Sequence, residues 1–115
     1  MKNKEMNKET YALRKQVMAL IYEIKEFAEI PRISVRVTEN DGCVLGRARL
    51  NRGEIWIAEK SIKGYDLRTI VYHEIVHAVY GAEHDESCPL MKSVYSPLTK
   101  AQAKKHFLKY AKRSA

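Results

Sequence analysis

A chain of 115 residues, 45% apolar and 30% charged, is long enough for one domain burying roughly two-thirds of its unfolded surface and too apolar to stay disordered. No stretch approaches ~18 uninterrupted apolar residues and no internal repeat occurs, which excludes a membrane-spanning helix and a repeat architecture. The net charge of +7 favours an acidic partner over a basic one.

Residues 1–10 are polar and charged, and the apolar positions after them are interrupted by Glu23 and Lys25. That is not a secretory signal, so the expectation is a cytoplasmic chain, or one released by lysis. Two cysteines, Cys43 and Cys88, fit that compartment as free thiols, with a single disulfide as the alternative. Leu13, Val17, Leu20, Ile21, Ile24, Phe27 and Ala28 recur at three- and four-residue intervals, which predicts a helix over 8–30 with one buried stripe. Pro31 stops it. Such a stripe is scaffold more often than a docking face.

Ile33, Val35 and Val37 alternate with Arg32, Ser34 and Arg36, so 32–38 reads as a half-buried strand. Glu39-Asn40-Asp41-Gly42 is a turn by composition. Strand character resumes over 43–50, breaks at Asn51-Arg52-Gly53, and returns at Glu54-Ile55-Trp56-Ile57, giving a short three-stranded meander. Asp66 is a good N-cap for a helix over 67–80. Ile70, Val71, Ile75 and Val79 supply much of its apolar content, with a His/Glu side expected to face elsewhere.

That helix carries His73-Glu74-Ile75-Val76-His77, the pattern H-E-x-x-H. Side chains four apart on a helix share a face, so His73 and His77 can offer two neutral imidazoles to one metal ion. Glu74, one position round, can reach a metal-activated water and act as its general base. The plain alternative is two solvated histidines on an amphipathic helix. Against it, three of the four histidines fall within twelve residues, and Gly81 stands where the helix must end. A third ligand is needed. His84 is the first candidate, with Asp85, Glu86 and Cys88 as alternatives and Glu83 as a weaker one.

The stretch 73–91 resembles the zinc site of the metzincin metallopeptidases, and its downstream part is most similar to the matrixin-like branch. That signature runs H-E-x-x-H-x-x-G-x-x-H, followed by a methionine turn. The resemblance implies His73, His77 and His84 as Zn²⁺ ligands, Glu74 as the base, Gly81 as the helix breaker and Met91, in Cys88-Pro89-Leu90-Met91, as the Met-turn residue. Gly81 and His84 each lie one residue later than the signature has them, while the G-x-x-H spacing is intact. The stretches 45–48 and 53–57 also resemble the family's cleft edge, which implies a strand that takes up substrate by β-addition. The resemblance covers roughly 45–112, weakly outside 73–91, in a chain far shorter than the family's usual catalytic domain.

After Met91, Tyr95 can either pack or stabilise a transition state. Thr99 and Gln102 form a capping-box pattern for a helix over 100–112, with Ala103, Phe107, Leu108, Tyr110 and Ala111 as packing positions. His106 reads as a surface histidine. Lys100, Lys104, Lys105, Lys109, Lys112 and Arg113 crowd this helix, as a solvated face or as a footprint for nucleic acid, for which no motif is present.

The expectation is therefore an α+β fold: one small zincin-like domain over 1–115, with an N-terminal helix, a three-stranded meander, an active-site helix, a Met-turn loop and a C-terminal helix. It implies a monomeric zinc peptidase acting on a peptide or protein substrate. The alternatives are a zinc protease acting on DNA-bound proteins and a non-catalytic zinc-stabilised binding module closed by a fourth protein ligand.

Overall fold

Four helices and a three-stranded mixed sheet form among the described residues of the computed structural model, which are 8–39, 44–64, 66–94 and 96–114. In chain order they are α1 (Lys8–Lys25), β1 (Ser34–Thr38), β2 (Gly46–Arg49), β3 (Glu54–Ala58), α2 (Glu59–Gly64), α3 (Leu67–Tyr80) and α4 (Lys100–Ser114). Asn40, Asp41 and Gly42 of the expected turn, Cys43 and Tyr95 lie outside the described residues. No described helix is long and apolar enough to cross a membrane.

The sheet is α+β as expected, but it is not a meander. Its order is β1-β3-β2, with β1 parallel to β3 and β2 antiparallel to it. Burial explains the order: Ile55 and Ile57 of β3 are fully enclosed, so the most apolar strand takes the centre and β2, Gly-Arg-Ala-Arg, takes an edge. The β2–β3 turn is made by Asn51 and Gly53, both at positive φ (62° and 68°), a region glycine enters freely and asparagine tolerates. Successive strand residues alternate between faces. Val35, Ile55 and Ile57 join Leu13, Val17, Ile21 and Ile24 of α1 and Ile70, Val71 and Ile75 of α3 in one core.

α1 ends at Lys25, five residues before the expected boundary. The chain then makes a turn in which the N–H groups of Phe27 and Ala28 both donate to the Ile24 carbonyl, at 3.0 Å each. This swings the Phe27 ring against Tyr72 (6.1 Å between centroids) and edge-on to Phe107 (5.8 Å, 88°). Tertiary packing wins over continued helical propensity here. α2 has no counterpart in the sequence reading: six residues are too few to show a stripe, and only Ser61 and Ile62 are buried. The Ser61 hydroxyl donates to the Leu45 carbonyl (2.6 Å), tying α2 to the start of β2.

α3 begins at Asp66, which has extended backbone (φ −77°, ψ 90°). Its carboxylate accepts from the Thr69 hydroxyl (3.0 Å), whose oxygen accepts the Leu98 N–H (3.0 Å). The capping box of α4 is present: Gln102 N–H donates to Thr99 Oγ1 (3.1 Å) and Thr99 N–H to Gln102 Oε1 (3.0 Å). Of the packing positions in α4, Ala103, Phe107 and Tyr110 are buried, while Leu108 and Ala111 are half-buried.

Glu23 joins α1 to α3. Arg68 grips its carboxylate through two bonds (2.8 and 3.1 Å), the Tyr72 hydroxyl donates to it, and Lys100 approaches to 3.6 Å. Arg68 above all holds the Glu23 carboxyl down, from 4.5 to about 2. A depressed folded pKa stabilises above the unfolded value and the benefit fades as the group protonates in the folded state. Stability is therefore expected to fall between about pH 4.5 and about pH 2. Glu23→Gln should flatten that acid limb, as read by urea unfolding across the pH range; an unchanged limb would assign it to other carboxylates.

Candidate metal centre

α3 is not a helix with one buried side and one polar side. Thr69, Ile70, Val71, Tyr72, Glu74, Ile75, Val76 and Ala78 are all buried, because the sheet, α1 and α4 pack around it. Glu74 is 7% exposed, so it belongs to the enclosed surface and not to an open His/Glu side. His73 and His77 are half-buried and His84 is exposed.

The sequence places the histidines in two ways. His73 and His77 are one helical turn apart on α3. His84 is returned to them because Gly81 ends the helix in the left-handed region (φ 67°), its N–H donating to the His77 carbonyl (3.1 Å). The loop after it is folded on itself: Asp85 N–H donates to the Met91 carbonyl (2.9 Å), and Met91 N–H to the Cys88 carbonyl (3.0 Å). The three rings then form a near-equilateral triangle, with centroid separations of 4.7, 5.2 and 4.9 Å. One ligand nitrogen from each lies within 4.8 Å of the others, close enough to hold a metal ion.

Ring orientation is fixed from behind. His73 Nδ1–H donates to the Leu90 carbonyl (2.7 Å) and His77 Nδ1–H to the Ala82 carbonyl (2.5 Å). A carbonyl can only accept, so both protons sit on Nδ1 and both Nε2 atoms present bare lone pairs. Those two nitrogens lie 3.1 Å apart. Two lone pairs at that distance repel unless a cation lies between them. Two nitrogen ligands of a tetrahedral ion at about 2.0–2.1 Å stand about 3.3–3.4 Å apart. The donor set fits a metal ion. Burial pushes the His73 imidazole down to about 4 and also lowers His77, which keeps both rings neutral and able to ligate near pH 7.

Glu83, Asp85, Glu86 and Cys88 do not join this cluster. The Asp85 carboxylate accepts from the N–H (3.0 Å) and hydroxyl (2.6 Å) of Ser87, and Glu86 accepts the Ser93 N–H (3.0 Å). They hold the loop. Cys88 is a buried free thiol, and Met91 is fully buried in the turn next to the Leu90 carbonyl that orients His73. His106 is half-buried on α4, and its Nδ1 has no hydrogen-bond partner.

Glu74 lies beside the histidines on the wall of a cavity of about 500 Å³ that Val44, Leu45, Gly46, Ile70, Lys92 and Val94 also line. Burial alone pushes its carboxyl up to about 8. The neighbour that sequence reasoning missed is Gly46 on the edge strand. A Cβ there would stand 3.1 Å from Glu74 Oε2, 3.2 Å from its Cγ and 3.3 Å from the Trp56 carbonyl oxygen. The Gly-x-Ala-x pattern of β2, small residues on one face, was the available signal. Gly46→Ala is expected to cost about 1–3 kcal/mol by overpacking, measured by denaturant unfolding. Full stability in that variant would mean that Glu74 has room to swing aside.

No known family model matches the chain, and no curated protein sequence matches it significantly.

Proposed function

We propose that this chain is a zinc-dependent peptidase built on a small zincin-like domain, with His73, His77 and His84 as ligands and Glu74 as general base. One observation carries the reading: the Nε2 lone pairs of His73 and His77 are locked 3.1 Å apart by carbonyls behind them, beside a cavity that His73, His84 and the buried Glu74 line together. Borderline-soft Zn²⁺ suits three imidazoles and leaves a fourth position open. Bound zinc supplies Lewis acidity, lowering the pKa of water and polarising a carbonyl.

The chain's own residues do the rest. Leu90 and Ala82 orient the imidazoles through their carbonyls. The charge of a bound cation would favour the ionised form of Glu74 against the burial that raises it, and the carboxylate would then accept a proton from water and pass it to the leaving amine, the work of a general base turned acid. The substrate is a peptide or protein segment laid in extended form along β2, whose free edge borders the cavity and offers backbone donors and acceptors. The closed, non-catalytic zinc module needs a fourth protein ligand, and no Cys, Asp or Glu among the described residues joins the three histidines.

The test is zinc stoichiometry and X-ray absorption on the wild type and on His84→Ala, with peptide cleavage before and after chelation. One zinc with three nitrogens and a water, losing one nitrogen in the variant, supports the reading. A sulfur ligand, or a zinc protein that cleaves nothing, overturns it.

A further inference from the structure

The far side of the sheet carries a second surface that the metal centre does not use. Trp56, the chain's one tryptophan, follows Ile55 and precedes Ile57 on β3, so strand alternation turns it away from the core they fill. It is half-buried, yet stands apart from the residues packed against the core cluster. Its register partners are Arg36 on β1 and Arg47 on β2, both exposed. The three form one row across the sheet, with the two arginine Cα atoms about 10 Å apart at ordinary strand spacing.

A cavity flanks the tryptophan on each side. One of about 340 Å³ is lined by Thr38, Glu39, Val44, Gly46, Arg47 and Trp56. The other, of about 370 Å³, is lined by Ser34, Arg36, Arg49, Glu54 and Trp56. Arg49 and Glu54 approach only to 3.7 Å, Arg49 exposed and Glu54 half-buried, so their attraction is slight and screened. Parallel strand pairs are usually covered on both faces. Here the β1–β3 pair is covered by helices on one face only, among the described residues.

We propose that this outer face binds single-stranded nucleic acid, with a base stacked on Trp56 and flanking phosphates paired with Arg36 and Arg47. An aromatic ring set between cations is the arrangement that binds strands irrespective of sequence, and the guanidinium fork matches phosphate oxygens. The rival basic surface, the groove of about 490 Å³ along α4 lined by Lys104, Lys105, Leu108, Lys109 and Lys112, offers charge without a stacking ring. Its Lys104 already lies over the Phe27 ring, at 5.1 Å. The proposal does not rest on the peptidase reading, because Trp56 and the two arginines alternate onto the sheet face opposite the core, although Val44 and Gly46 line both the cavity beside Arg47 and the one beside Glu74.

The experiment is a fluorescence titration of the full chain with oligo-dT and oligo-rU of about 12 nucleotides at low salt, with zinc and with chelator. Trp56 is the sole indole, so stacking quenches a signal that reports this site alone. Expected are quenching by both oligomers, weakening with added salt, and binding about tenfold weaker by anisotropy in Trp56→Ala and in Arg36→Ala/Arg47→Ala. Trp56→Tyr should retain most of the affinity, and circular dichroism checks that each variant folds. Absence of binding at low salt overturns the proposal. So does equal binding of polyglutamate, or a loss of affinity in Lys105→Ala/Lys109→Ala that Trp56→Ala does not share.

Discussion

On the proposed zinc-peptidase reading, Glu74→Gln is expected to keep its full complement of zinc and lose peptide hydrolysis by about 100- to 10,000-fold, the range for a positioned general base. Glutamine preserves the shape of the side chain, which matters because Glu74 is enclosed and stands close to Gly46. It cannot accept the proton. The zinc should stay because Glu74 is not in the ligand cluster. Metal content by atomic absorption and single-turnover cleavage decide the matter together. Wild-type turnover in the variant would remove Glu74 from its role. Loss of zinc along with activity would show it to be part of the metal's support.

Phe107→Ala is expected to cost about 3–5 kcal/mol of stability, a large share of the roughly 5–15 kcal/mol available to a domain of this size. Phe107 is fully buried and meets three rings, Phe27, Tyr72 and Tyr80, at 5.8, 5.7 and 5.7 Å. All three contacts are edge-on or nearly so (88°, 72° and 69°), the geometry the ring quadrupole favours. Truncation removes the hub that fastens α4 and the α1 turn onto α3. Thermal unfolding should shift down by roughly 10–25 °C, and saturating zinc should recover part of it by binding the folded state alone. A loss under about 1 kcal/mol would mean that the three remaining rings close the gap, as relaxed cores do.

The histidine cluster was legible because its chemistry is local. His73 and His77 are one helical turn apart, and Gly81 announced the reversal that returns His84. The amphipathic α4 and its Thr99/Gln102 cap were legible for the same reason. What the residues did not reveal is long-range. The early end of α1 depends on the rings of Tyr72 and Phe107, both far along the chain from Phe27. The strand order depends on which of three short strands is most apolar, and a period-two pattern says which side chains share a face without saying which strands are neighbours. The burial of Glu74 is likewise a tertiary outcome. A glutamate on a helix reads as solvated, and the packing of the sheet and helices around α3, with Gly46 of β2 against the carboxyl, closes it in.

The β2–β3 turn does more than reverse the chain. Asn51 N–H donates to the His77 carbonyl (3.0 Å) and Gly53 N–H to the Ala78 carbonyl (2.9 Å), while the Gly53 carbonyl accepts the Ser34 N–H (2.8 Å). The last turn of a helix ordinarily frays, because its final carbonyls lack partners within the helix. Here the Ala78 carbonyl takes its donor from a hairpin some twenty-five positions upstream and the His77 carbonyl takes a second donor besides Gly81 N–H, so the helix end, the hairpin and the start of β1 form one cooperative unit and not three independently breathing ends. His77 sits inside that unit. Near the end of its helix, His77 is thereby held by the hairpin as well as by the helix itself.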